Sequence, residues 1–461
     1  MKPDPTGIEW FYRPRSVAVI GASTRPGKVG HECLRSLLDS GFRGEIYPVN
    51  PRADEVLGLR AYPSILDVPG QVDLAVLAIP SKAAPQVMEQ CAQKGVRAVV
   101  IISGGFKETG PEGEALQEKV VEIARRNGMR IIGPNCIGVF DGHTRVDTTF
   151  QSHERMGRPK PGSIAFLSQS GTFGATFLDW AAAEGVGVSR FASLGNRADV
   201  DEADMIAYLA RDPDTRVVAI YMESFTDARA LMEAIRSSPK PVLIFKSGRT
   251  QAGAKAAASH TGRLAGSYEI ARSALAQAGA LVLDSVGELY GAAKALALQP
   301  PFESGGVAMV TNGAGPCVMA ADYLYESGIE LATFSPEIRE ELRERLPGYA
   351  LVSDPVVDLT GSATTSDYMT ALESLARDPN VGLLGVFVVF QDTPLEDEFT
   401  ARLAEFDSRG KPVLVFAAGG EYTARKRREL DSAGIPTYDD VRELAAAIRA
   451  LRWWAGRRAV R

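Results

Sequence analysis

Short runs of Val, Ile, Leu and Ala alternate with helical patterns along the whole chain, and this alternation constrains the fold more than any other feature. A strand reads as a continuous apolar run when both its faces are covered, as happens where helices cross over a parallel sheet. The first group of runs is Ser16 to Ile20, Glu45 to Val49, Leu74 to Ile79, Val99 to Ile102 and Arg130 to Ile132. Each ends in Gly, Ser, Asn or Pro, at the carboxyl strand ends where such sheets bind ligands.

A stretch without periodicity from about Phe140 to Gly162, carrying Pro159 and Pro161, marks a boundary. A second group follows: Ile164 to Leu167, Val217 to Tyr221, Val242 to Phe245 and Leu281 to Leu283. After Pro300 to Gly306 comes a third: Val307 to Val310, Leu384 to Val389 and Val413 to Phe416. The second and third groups repeat one plan of strand, glycine turn and helix. A chain of 461 residues suits about three domains of roughly 100–200 residues. The expected class is α/β, with three doubly wound parallel-sheet domains over 8–140, 160–298 and 303–455.

Apolar residues make up 45% of the chain and charged ones 23%, and the net charge is −6, which gives no electrostatic case for a nucleic-acid partner. Met1 to Pro5 has no secretory character, and no apolar run approaches the ~18 residues a membrane helix needs. A cytoplasmic protein without a membrane partner is expected. Cys33, Cys91, Cys136 and Cys317 stand apart, so neither a disulfide framework nor a metal site is expected. The basic stretch Arg452 to Arg458 reads as a solvated helix end, packed through Trp453 and Trp454.

The first strand runs into Gly21-Ala22-Ser23-Thr24-Arg25-Pro26-Gly27-Lys28-Val29-Gly30. A glycine turn opening a helix presents free N–H groups to an anion, and the helix dipole adds to the attraction. Two common motifs fail here. A nucleotide-hydrolase phosphate loop needs four residues between its glycines and then Lys-Ser or Lys-Thr; here there are five, and Val29 follows Lys28. A dinucleotide fingerprint needs G-x-G-x-x-G and an acidic end to the second strand, which instead closes at Asn50-Pro51. A nicotinamide dehydrogenase is therefore disfavoured, and another nucleotide-containing ligand is expected.

Ser168-Gln169-Ser170-Gly171-Thr172 and Asn312-Gly313-Ala314-Gly315 open the second and third groups in the same way. Between them, His260 lies in Ala258-Ser259-His260-Thr261-Gly262-Arg263-Leu264-Ala265-Gly266-Ser267, where small neighbours let other groups approach the ring. Two anion-binding turns flanking such a histidine suit phosphoryl transfer through an imidazole. Glu223 ends the strand beginning at Val217; a carboxylate on one ring nitrogen would leave the other free to attack.

Four segments together carry a family resemblance: Gly133-Pro134-Asn135-Cys136-Ile137-Gly138, Ser168-Gln169-Ser170-Gly171, Gly195-Asn196-Arg197-Ala198-Asp199-Val200-Asp201, and Ser259-His260-Thr261-Gly262 with Leu264 to Ser267. From about Ile8 to Leu451 the chain resembles the nucleoside-diphosphate-forming acyl-CoA synthetases, relatives of succinyl-CoA synthetase, in the α-subunit type of the ADP-forming acetyl-CoA synthetases.

The resemblance implies a Rossmann-like CoA-binding domain followed by two flavodoxin-like ligase domains. It implies that Gly21, Ala22, Ser23, Lys28, Val29 and Gly30 surround the CoA phosphates. Asn50, Pro51, Ile79, Pro80, Ser81, Ser103, Gly104 and Asn135 would line the rest of the ligand. His260 would be the phosphorylated residue and Glu223 its orienting carboxylate, with Ser168 to Thr172 and Asn312 to Gly315 as the two phosphate-binding starts.

The implied reaction converts acyl-CoA, phosphate and ADP into a carboxylic acid, CoA and ATP through acyl phosphate and phosphohistidine. An ATP-grasp β subunit carrying ADP or ATP with magnesium would be required, in an α2β2 assembly. A non-catalytic CoA-binding regulatory paralogue is the alternative. Relatives often carry Asp where Tyr268 stands, Ala for Arg263, N-P-V-D for Asp354-Pro355-Val356-Val357-Asp358, and P-Q for Phe390-Gln391-Asp392.

Overall fold

A computed structural model describes residues 7–253, 255 and 267–459. The chain divides into two compact units, Met1–Ala183 with Gly187–Val282, and Glu184–Val186 with Leu283–Arg461. Among the described residues no helix is long and apolar enough to cross a membrane.

The first unit holds two sheets. One comprises β1 (Ser16–Ile20), β2 (Glu45–Val49), β5 (Leu74–Leu77), β6 (Ala98–Ile101) and β7 (Arg130–Ile132), in the order β2-β1-β5-β6-β7 and all parallel. A small hairpin, β3 (Glu55–Val56) with β4 (Leu59–Arg60), follows β2. Strands β1, β5 and β6 are buried along their full length, as their apolar runs predict.

The second sheet comprises β8 (Val139–Asp141), β9 (Pro161–Ser168), β10 (Val188–Ser193), β11 (Val217–Met222), β12 (Val242–Lys246) and β13 (Leu281–Leu283). Its order is β13-β12-β11-β9-β10-β8, with β8 antiparallel at the edge. The segment expected to end the first domain at 140 thus supplies an edge strand to the second sheet.

Within this unit the N-terminal helix α1 (Glu9–Tyr12) is tied to the second sheet. Tyr12 is fully buried, stacks on Tyr208 and donates to the Phe191 carbonyl. The third sheet, in the second unit, runs β15 (Leu351–Ser353), β16 (Val356–Asp358), β14 (Gly306–Thr311), β17 (Val381–Phe387), β18 (Val413–Phe416) and β19 (Thr437–Tyr438), with only β15 antiparallel.

The expected 160–298 segment loses its last helix, Val286–Leu298, to the second unit. That helix packs against the C-terminal helix Val441–Ala459, where Gly287 and Gly291 leave room for Glu443. Burial first, then Asp440 and Asp439, push the Glu443 carboxyl up to about 7. A carboxyl raised from its ordinary 4.5 contributes stability that is full below about pH 4.5 and is lost as pH rises through about 7. Glu443→Gln is expected to raise the melting temperature at pH 8 by roughly 2–6 °C and to leave it unchanged near pH 4.5. A lower melting temperature at pH 8 would contradict this.

Candidate functional site

In an open parallel sheet, ligands enter where consecutive strands diverge to opposite sides. This divergence lies between β1 and β5, between β9 and β11, and between β14 and β17. All three glycine turns singled out in the sequence sit at these crevices.

In the first sheet, Gly21 leaves β1 at φ 89°, and a Cβ there would run into the Ala78 carbonyl. A Cβ on Gly30 would run into the Gly21 carbonyl, so helix α2 (Val29–Asp39) begins pressed against the turn. Lys28 caps α2 with its backbone only. Val29 and Gly30, the first two residues of α2, have no backbone acceptor for their amides among the described residues. That is an uncapped, anion-ready helix start.

Asn50 and Pro51 follow β2, Ile79 to Ser81 follow β5, Ser103 and Gly104 follow β6, and Asn135 follows β7 at φ 60°. The candidate CoA residues therefore share one edge. Ala22 is buried, so only its main chain is available. The Asn50 carboxamide is committed to the turns, donating to Ala22 O at 2.7 Å and accepting from Arg52 N at 2.8 Å.

At the second crevice the Ser168 hydroxyl donates to the Ser170 carbonyl at 2.6 Å, closing the turn before helix Gly171–Ala183. Gln169 bridges the crevice. Its Oε1 accepts from the Glu223 and Ser224 amides at 2.8 and 2.9 Å. Its Nε2 donates to Glu202 at 2.6 Å and to Ser224 O at 2.8 Å. Arg197, at φ 54°, adds two bonds of 2.7 Å to Ser224, and pairs with buried Glu202 at 3.5 Å.

This network fixes the backbone from which Glu223 projects. Beside it Phe173 stacks on Tyr221 at 4.2 Å, and burial together with Glu223 pushes the Tyr221 phenol up to about 12. Lys246, in register with Met222, is held below the ordinary lysine range by burial, with Glu223 opposing that shift. The main-chain amides of Gly171 and Thr172 have no acceptor among the described residues.

At the third crevice the Asn312 carboxamide is likewise engaged. It accepts from Tyr368 and from the Val389 amide, both at 2.8 Å, and donates to Val389 O at 3.1 Å and Asp392 at 3.0 Å. Asp392, one of the departures from the family pattern, is thus part of the turn's support. Gly313 N donates to Thr311 at 2.9 Å, which leaves the Ala314 and Gly315 amides at the start of helix Gly315–Glu326 without an acceptor among the described residues.

The structure therefore brings Ser168 to Thr172 together with Glu223 in the first unit and places Asn312 to Gly315 in the second. His260 and Arg263 lie outside the described residues. Neither the Gln169 nor the Asn312 carboxamide has a donor left for a phosphate; each supports its turn, and main-chain amides remain as donors. The Arg197–Glu202 support was missed as such in the sequence, although Gly195 to Asp201 had been picked out as a motif.

Residues 15–141 match a family described as CoA binding domain, and residues 161–296 one described as succinyl-CoA ligase like flavodoxin domain. The chain is 40% identical over 451 residues to the α subunit of acetate–CoA ligase [ADP-forming] II of Pyrococcus furiosus, covering 96% of this chain and 97% of that one. It is 41% identical to acetate–CoA ligase [ADP-forming] I of Archaeoglobus fulgidus, covering 96% of this chain but 63% of that longer protein. The acetyl-coenzyme A synthetase 1 of Ca. Korarchaeum cryptofilum, solved with phosphate and ADP, superposes with a TM-score of 0.90 at 35% identity over 98% of both chains. With this likeness running end to end, the chain belongs to the ADP-forming acyl-CoA synthetase family, in its α-subunit type.

Proposed function

We propose that the chain is the α-type subunit of an ADP-forming acid–CoA ligase, interconverting acyl-CoA, phosphate and ADP with a carboxylic acid, CoA and ATP. The observation that carries this reading is the pair of Gly171 and Thr172 amides, without an acceptor among the described residues, beside the rigidly supported Glu223 backbone at the β9–β11 crevice. The His260 segment follows the neighbouring strand β12 in sequence.

CoA would rest its phosphates on the amides of Val29 and Gly30, with the Lys28 ammonium nearby, and its pantetheine arm along the β2, β5, β6 and β7 ends. Phosphate oxygen attacks the thioester carbonyl, the C–S bond breaks, and CoA departs as the thiol, leaving acyl phosphate. A ring nitrogen of His260 then attacks phosphorus and the bond to the carboxylate oxygen breaks, releasing the acid. Glu223, accepting the other ring N–H, fixes the tautomer and offsets the charge gained by the ring. The start at Gly171–Thr172 would stabilise the phosphoryl oxygens, and Ala314–Gly315 would offer a like phosphate-binding start within the second unit.

Phosphohistidine then passes its phosphoryl group to ADP. The nucleotide and magnesium would sit on an ATP-grasp β subunit, in an α2β2 cytoplasmic assembly. The additional length of the A. fulgidus relative fits a form in which such a part is fused.

The test incubates the full chain with its ATP-grasp partner, acetyl-CoA and labelled phosphate. Acid-labile, base-stable label on this chain is the expected result, together with CoA binding and no NADH binding in calorimetry. An unlabelled chain in a complex that turns over would defeat the proposal.

A further inference from the structure

His31 lies in the first turn of α2 and is 3% exposed. Its Nδ1 is 2.7 Å from the Ser23 carbonyl oxygen, and its Nε2 is 3.1 Å from Nη2 of Arg35. A carbonyl only accepts and a guanidinium only donates, so the proton must be on Nδ1 and the lone pair on Nε2. The ring is a neutral strut of defined tautomer between the glycine turn and the second turn of its own helix. The adjacent Glu32 secures the other end of the turn, accepting from Gly27 N at 2.7 Å.

The consequence follows from the planarity of the peptide group. In a trans peptide the C=O of one residue and the N–H of the next point in opposite directions. Asn50 holds the Ala22 carbonyl at 2.7 Å, which turns the Ser23 amide the other way; His31 holds the Ser23 carbonyl and does the same to the Thr24 amide. Neither the Ser23 nor the Thr24 amide has an acceptor among the described residues. Both join the Val29 and Gly30 amides as donors without an acceptor among the described residues.

We infer that His31 is a positioning residue for phosphate recognition: by holding the Ser23 carbonyl it aims the main-chain N–H of Thr24 at a phosphate of CoA. This rests on the CoA reading of the first sheet. The imidazole does not touch the ligand and does not take part in the chemistry. Its contribution is to orient one peptide plane, with Arg35 setting the tautomer that makes this possible.

The experiment measures CoA affinity of the full chain by calorimetry, and KM for acetyl-CoA against kcat in the assembled enzyme. His31→Leu keeps an apolar side chain in the buried space but removes both bonds. It is expected to weaken CoA binding about tenfold and to raise KM similarly, with kcat at saturation within twofold, since one or two hydrogen bonds convert to about that factor. His31→Asn places an amide nitrogen where Nδ1 stood and keeps the bond to Ser23 O; most of the affinity is expected back.

A wild-type chain that fails to bind CoA would overturn the functional reading itself. Wild-type binding with His31→Leu within twofold of it would overturn this inference alone, as would His31→Asn binding no better than His31→Leu. Should His31→Leu not fold, Arg35→Met carries the test: a two- to fivefold loss of affinity at unchanged melting temperature is expected, and unchanged affinity overturns the assignment.

Discussion

His260→Ala is expected to abolish phosphoryl transfer through this chain, with turnover falling by roughly 10⁴-fold or more and no radiolabel retained, while CoA affinity stays within about twofold. An alanine has no group that can attack phosphorus, and water cannot substitute, because the phosphoryl group must be handed on to ADP rather than lost as phosphate. CoA affinity should persist because the candidate CoA turns all belong to the first sheet, whereas His260 follows β12 of the second sheet in sequence. Radiolabel retention, steady-state turnover and calorimetry with CoA read the two halves of this expectation separately. Joint loss of CoA binding and turnover in a folded variant would mean that the sites are not divided between the sheets as proposed.

The largest expected effect on stability is at Arg190. Its guanidinium is wholly buried and lies 3.0 Å from Asp141, 3.1 Å from Asp212 and 2.8 Å from Asp214, with Arg13 also 3.0 Å from Asp214. Asp141 and Asp212 are themselves almost fully buried. Burial pushes the Asp141 carboxyl up even with Arg190 opposing; burial also acts to raise Asp214, but there the hydrogen bond and charge of Arg190, with His143 and Arg13, outweigh it and hold the carboxyl down.

Arg190→Met preserves much of the side-chain volume but leaves buried carboxylates without their main counter-charge. A loss of about 3–5 kcal/mol is expected, because the penalty is the uncompensated charge rather than the lost pair. That corresponds to roughly 6–15 °C in melting temperature. An exposed pair such as Arg126–Glu89 would contribute at most about 1 kcal/mol by comparison. A melting temperature within about 2 °C of wild type would show that water reaches the three carboxylates.

The same residue shows where the sequence was hard to read. Strands whose two faces are both apolar stood out: the run Val217 to Tyr221 became β11 with only Met222 added. Strand β10, Val-Ser-Arg-Phe-Ala-Ser, has no legible apolar run, since Ser189, Arg190 and Ser193 look like surface residues, although all are fully buried. Their polarity is satisfied by partners distant in sequence, such as Thr215 on Ser189 at 2.8 Å, and no local pattern reveals that. Strands β8 and β15 are three residues long and antiparallel edges, too short for a period to show. Helix Val286–Leu298 reads as buried from its composition, but which core it joins is a tertiary matter.

The candidate site divides in the same way. Glycines and strand ends made the turns legible, since a tight turn needs particular residues at particular places. The roles within the turns were less legible. A carboxamide after a strand looks the same in sequence whether it faces a ligand or holds the neighbouring loop, and Gln169 and Asn312 do the second. His31 lies outside every motif and gains its meaning only from Ser23 and Arg35 on either side.

Three turns that offer main-chain amides while side chains hold them in shape have a consequence for mutational scanning. A peptide N–H survives every substitution except proline, so replacing Thr24, Thr172 or Ala314 one at a time will leave those donors in place. The heavy losses are expected instead at Asn50, Gln169 and Asn312, whose carboxamides hold the turns in shape. A map of sensitive positions drawn for this protein would trace the braces and leave the grip itself blank.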